Sequence, residues 1–87
     1  MKIEVRKPTQ EEVELAQGWE TWTKEVSEFP WSYDQQETCL ILKGKVEVTT
    51  QDGQKVSFEA GDWVVFPVGL KCVWRIIEPV EKRYQFS

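Results

Sequence analysis

The chain contains no histidine, so imidazole, the commonest metal ligand and a frequent general base, is absent from any site it builds. Cysteine is scarce. The two present, Cys39 and Cys72, fall short of the disulfide framework that small secreted domains carry, and they read as reduced thiols buried in a core. Basic charge is in deficit, with 11 Lys plus Arg against 15 Asp plus Glu and a net charge of −4. That balance leaves no basic face for nucleic acid or for an anionic membrane surface. The pair Lys82-Arg83 is too short to reverse it. No run approaches the ~18–20 apolar residues of a membrane-spanning helix. Residues 1–7 carry early charges and no apolar segment, unlike a signal peptide, so the expected location is cytoplasmic.

What is present is aromatic. Five tryptophans, four phenylalanines and two tyrosines stand among 87 residues, and each can bury on the order of 150–250 Å². A chain this short buries only about 60–65% of its unfolded surface, so those rings carry much of the core. With no linker and no shift in composition, residues 1–87 read as one domain.

The pattern is that of short strands. Residues 2–6 alternate polar and apolar up to Pro8. Thr9 with Glu12 has the form of a capping box and opens at most two helical turns, stopped by Gly18. Residues 21–26 suit another strand, with Pro30 marking an edge or a turn and residues 31–33 continuing extended. Residues 38–42 are apolar at successive positions, as in a strand packed on both faces. Lys43-Gly44 is expected to turn the chain into the alternating run 45–49, and Asp52-Gly53 to close a hairpin onto 55–58. Residues 63–66, 71–77 (ended by Pro79) and 82–86 complete the series. Repeated short strands separated by turns predict an all-β fold, a small antiparallel β-barrel or jelly roll with one short N-terminal helix.

One frame of residues resembles the cupin family. Glu37 stands before Gly44, and Gly61, Pro67 and Gly69 lead to Cys72 at the spacings of the two cupin segments. Counting on that frame, Trp31, Tyr33 and Cys72 occupy the positions where cupins carry three histidines, while Glu37 occupies that of the metal-binding glutamate. Glu25 stands at the first glycine position and Ile76 at that of the asparagine. The runs Leu42-Lys43-Gly44-Lys45-Val46 and Phe66-Pro67-Val68-Gly69 are similar to small single-domain cupins grouped with the C-terminal half of ureidoglycine aminohydrolase. That resemblance implies a barrel with a site at its open end. In the aminohydrolase such a site holds manganese and releases ammonia from a small ureido compound.

On the barrel reading, Trp31, Tyr33, Glu37, Cys39, Cys72 and Trp74 face one interior and form the ligand-binding set, with Glu37, Tyr33 and Cys72 as catalytic candidates. A desolvated Glu37 carboxyl suits a general acid or base; it serves equally as a hydrogen-bonded strut holding its strand. Trp31 and Trp74 are core side chains first and stacking surfaces second, because small barrels fill their interiors. A metal held by Cys39, Cys72, Glu37 and Tyr33 would need an uncommon tyrosinate and has no imidazole, so no cofactor is expected. A Cys39–Cys72 redox pair has no CxxC spacing, and no flanking cation visibly lowers a thiol pKa.

Three readings of function follow. The first is a cupin that binds a small polar metabolite, as an enzyme using Glu37 or without turnover. The second is a structural or interaction module with a packed interior. The third is a cryptic metal-dependent hydrolase using Glu37 and cysteine ligands. A homodimer is expected on two grounds: the doubly apolar strand 38–42, and an N-terminal strand free to extend a neighbour's sheet.

Overall fold

The Thr9 hydroxyl accepts from the Glu12 backbone N–H at 3.2 Å, and the Glu12 carboxylate accepts from the Thr9 N–H at 2.9 Å. This reciprocal cap starts the one helix of the computed structural model, which describes residues 2–87. Met1, the first residue of the segment read above as unlike a signal peptide, lies outside the described residues. The elements are β1 (Glu4–Arg6), α1 (Gln10–Ala16), β2 (Glu20–Lys24), β3 (Ser27–Ser32), β4 (Glu37–Thr50), β5 (Lys55–Glu59), β6 (Trp63–Phe66) and β7 (Lys71–Phe86). The architecture is all-β apart from α1, an antiparallel jelly-roll-like fold.

Two long strands organise it. β4 and β7 pair antiparallel from Glu37↔Phe86 to Thr50↔Cys72. Near one end they are flanked by β2 on β7 and by β6, then β1, on β4; near the other, by β3 on β7 and β5 on β4. The chain therefore makes two leaves that share β4 and β7.

The bend between the leaves corrects two expectations. Lys43-Gly44 does not turn the chain, and Pro79 does not end a strand; both lie inside continuous strands. The register slips between Ile41 and Val46, so bulges re-aim β4 without breaking it. Gly44 has φ 97° there, and a Cβ on it would fall 2.7 Å from Val80 Cα, against the Pro79 carbonyl. Only glycine fits that approach. Instead of one strand over 21–26, the structure has β2 and, after a short break, β3. Pro30 sits within β3, which pairs with β7, and an edge strand tolerates its missing N–H.

Alternation along the strands sends one set of side chains between the leaves. Trp74, Phe66, Ile41, Ile76, Val46, Val48, Val64 and Cys39 are fully buried there. Burial of each large side chain contributes about 1.5–3 kcal/mol. Leu40 and Trp63 point the other way, onto Ala16 of α1, with Val13 and Trp19 beside them. The doubly apolar strand is thus covered by the chain's own helix, and β1 pairs with β6 of the same chain. The first ground given for a homodimer is met within one molecule, while β1 is the edge of the sheet and pairs on one side.

Candidate functional site

Tyr33 follows β3 directly and is clamped by its backbone. Its N–H donates to the Leu70 carbonyl at 2.9 Å, and its carbonyl accepts from the Gly69 N–H at 2.6 Å. Gly69 reaches that bond with φ 85°, which is why a glycine stands in the Pro67–Gly69 turn. The Tyr33 ring stacks on Phe66, centroids 4.9 Å apart and planes within 8°. Glu37 opens β4 and pairs with Phe66 on one side and Phe86 on the other. Trp74 lies in β7 between Phe29 and Val48. Beyond the bend, period-two alternation buries Val80 and, two residues on, Lys82.

These placements surround a cavity of about 220 Å³. Its charged residues are Glu37 and Lys82, and the rest of its lining is aromatic: Trp22, Phe29, Trp31, Tyr33, Trp74, Tyr84 and Phe86. Trp31, 48% exposed, marks the open side. Lys82 Nζ donates to Glu37 Oε2 at 2.7 Å, with both side chains buried. The same ammonium lies 4.6 Å from the Trp74 ring centroid, 4.8 Å from Trp22 and 5.7 Å from Tyr84. A carboxylate and three π faces are the surroundings of a cation.

Three buried polar atoms of residues that line the cavity have no hydrogen-bond partner within 3.5 Å and good geometry among the described residues: Tyr33 Oη, Glu37 Oε1 and Trp74 Nε1. Tyr33 Oη is near enough to Glu37 for its phenol to be raised above its ordinary range, by burial first and by the carboxylate second. The Trp74 indole lies against the same oxygen and works the other way; none of the three atoms makes a well-aligned bond with another. Buried polar groups are nearly always satisfied, so this cluster of three beside the cavity departs from the usual pattern.

Four of the six expected site residues, Trp31, Tyr33, Glu37 and Trp74, come together on this cavity. The cysteines stand outside its lining. Cys39 is fully buried and its thiol donates to the Val64 carbonyl at 3.6 Å; the Cys72 thiol donates to the Trp31 carbonyl at 3.7 Å. Burial holds the Cys39 thiol well above its ordinary value. Burial first, then Glu37, pushes Cys72 up to about 11. Both are free thiols, and neither has the lowered pKa of a reactive nucleophile. Glu37 is desolvated and has a partner, Lys82, which the sequence reading did not name. Lys82, Trp22 and Phe29 were not among the expected residues. The signal for Lys82 lay in its place two residues from Val80 on an alternating strand.

The metal that cupin segments hold elsewhere does not fit this donor set. At its expected positions stand Trp31, whose indole has no lone pair to give, Tyr33 with its raised phenol, and Cys72 with its raised thiol. At Glu37, one oxygen is taken by an ammonium. Among the described residues no three His, Cys, Asp or Glu side chains gather as a metal-binding group.

Comparison with known proteins agrees with the fold. A model of the EutQ-like cupin domain matches residues 4–84. A DUF861 family protein from Thermotoga maritima superposes with a TM-score of 0.95 at 51% identity, covering 99% of this chain and 100% of that one. The EutQ protein of Clostridium difficile aligns at TM-score 0.69 and 21% identity over 76% of this chain and 52% of that one. A cupin-2 domain containing protein from Shewanella frigidimarina aligns at TM-score 0.63 and 20% identity, covering 77% of this chain and 67% of that one. The last two share the fold. No curated protein matches the chain. The chain belongs to the EutQ-like cupin domain family.

Proposed function

We propose that this cupin binds a small polar metabolite between its two leaves, with Trp31, Tyr33, Glu37 and Trp74 as contacts and Glu37 as the group that gives or takes a proton. The observation that carries the reading is a cavity of about 220 Å³ lined by the buried pair Glu37 and Lys82 and by aromatic rings, among them Tyr33 and Trp74. A purely structural barrel gains nothing from such a space. Each orphaned group costs about 1–3 kcal/mol, and an empty volume forgoes the dispersion contacts of a filled core. A ligand seated in the cavity restores those contacts.

The size of the cavity sets the ligand class. It lies below the ~300–1,000 Å³ typical of drug-sized sites, so the partner is a compact metabolite. Aromatic walls hold a flat or apolar body while the polar atoms fix its orientation. Ligand-observed NMR against a panel of small polar metabolites tests the reading. Binding that is lost in Glu37→Gln and unaffected by Glu28→Gln, an exposed glutamate of β3, supports it. A panel with no binder at millimolar concentration would leave the packed structural module as the better account.

A further inference from the structure

A strand at the margin of a sheet presents a row of N–H and C=O groups that another strand can take up. β2 ends the sheet path and pairs with β7 alone. Among the described residues, no backbone bond joins residues 20–24 to any other element. Glu20, Thr21, Thr23 and Lys24 are exposed, and Trp22 is half-buried. By contrast β5, also of five residues, buries Phe58. β2 is thus a strand with little covered and one side open.

We propose that β2 pairs with the β2 of a second copy of this chain, antiparallel about a two-fold axis at Trp22, joining the two sheets edge to edge. This pairing goes beyond the ligand reading above and does not depend on it.

The strand is its own complement about that axis. A two-fold normal to the sheet keeps the same face of both copies together, so residues brought opposite each other share a face. Along Glu20-Thr21-Trp22-Thr23-Lys24, Glu20 then meets the partner's Lys24, and Lys24 meets the partner's Glu20. Thr21 meets the partner's Thr23, and Trp22 meets the partner's Trp22. Opposite charges, threonine pairs and aromatic pairs are the cross-strand neighbours that stabilise a ladder. Moving the axis to Thr21 or Thr23 brings no glutamate opposite a lysine.

The charges of β2 are also uncommitted. Among the described residues Glu20 and Lys24 enter no ion pair. Glu20 accepts from the neutral Tyr84 hydroxyl at 3.1 Å, and the Lys24 ammonium lies 5.4 Å from the Phe29 ring centroid. The other edges differ. β1 has three residues, and its Arg6 is already held by Glu4 at 2.7 Å and Glu12 at 2.6 Å. β3 contains Pro30, which has no N–H to give. β5 is charge-complementary about Ser57, yet its Lys55 already faces Glu47 of the same chain at 3.8 Å. Because Trp22 and Tyr84 line the cavity, the junction at β2 runs along the cavity margin in both copies.

An edge of five residues makes a small interface, so the dimer is expected to be transient, half-formed between about 0.1 and 1 mM. Sedimentation equilibrium and 15N-edited NMR of the full chain over that range test it. Mass should rise toward two copies, and amide shifts should gather in residues 20–24. Glu20→Lys and Lys24→Glu each set like charges opposite one another and should weaken association about tenfold. A one-to-one mixture of the two variants should restore it, as should the double variant Glu20→Lys/Lys24→Glu, because every charge again finds its opposite. Lys55→Glu, on β5, should leave association unchanged. Circular dichroism of each variant establishes folding. Mass that stays at one copy up to about 1 mM overturns the proposal. So does a dimer that survives both single variants, is lost in Lys55→Glu, or is not recovered in the mixture.

Discussion

Gly44 lies against Pro79, so closely that a side chain on Gly44 would collide with the Pro79 carbonyl and come within 2.7 Å of Val80 Cα. This contact holds the shared bend of β4 and β7, and so sets Trp74 on one leaf against Glu37 and Lys82 on the other. Gly44→Ala adds both a left-handed backbone penalty and overpacking, an expected loss of about 2–5 kcal/mol by urea denaturation. Gly53 has φ 92° but open space around it, so Gly53→Ala isolates the backbone share, about 1–2 kcal/mol. Equal losses at the two positions would show that the close approach carries no weight.

The buried pair Glu37–Lys82 is expected to behave asymmetrically. Removing one partner strands a charge: Lys82→Met should cost about 3–5 kcal/mol. Removing both in Glu37→Gln/Lys82→Met should recover most of that. The measurement is a double-mutant cycle from chemical denaturation. Additive losses would mean that the pair is not coupled.

Tyr33→Phe removes an oxygen with no partner and keeps the ring stacked on Phe66. Stability should rise by about 1–2 kcal/mol, the desolvation cost of an unsatisfied group, while affinity for a cavity ligand falls about tenfold, the value of one hydrogen bond. Opposite movement of melting temperature and affinity is the expected signature of a group kept for binding. A loss of stability would show that the hydroxyl is satisfied in the free protein.

The cysteines should be inert at neutral pH. Cys72, pushed up to about 11, should react with iodoacetamide faster as pH rises toward that value. Cys39, fully buried and raised further, should label only on unfolding. Mass spectrometry of timed reactions distinguishes the two. Rapid labelling of Cys39 in the folded protein would contradict the packing around it.

Alkaline pH should destabilise the fold. The Tyr33, Cys39 and Cys72 groups are all raised on folding, chiefly by burial, so each favours folding while it stays protonated in both states. As pH passes 9.0, where an unfolded cysteine releases its proton, the unfolded state gains and stability falls; the share of Cys72 is lost by about 11. Urea midpoints at pH 8, 9 and 10 read the slope, which should be shallower in Cys72→Ala whatever that variant's absolute stability. A flat profile would mean that these groups titrate alike in both states.

Much of this was legible in order along the chain. The capping box at Thr9 and Glu12, the Asp52-Gly53 hairpin and the glycines of the cupin frame are local devices, and local spacing reveals them. Trp31, Tyr33, Glu37 and Trp74 were found through the same frame. Lys82 was not, because Lys82-Arg83 reads as a solvated basic pair until it is known that β7 continues through Pro79. Trp22 and Phe29 reach the site through their pairing with β7, a long-range register with no local mark. Cys39 and Cys72 show the converse. Alternation puts them on the inward face, but their thiols donate to the Val64 and Trp31 carbonyls and neither residue lines the cavity.

Alternation, turn residues and the want of imidazole were enough, read along the chain alone, to specify a small β fold and to withhold the usual metal donors from it. Which charge stands opposite Glu37 was decided only when β4 and β7 bent together, because a bulge changes the phase of every side chain beyond it. Sequence spacing carries the period of a strand. The relative phase of two strands is set by their pairing in space.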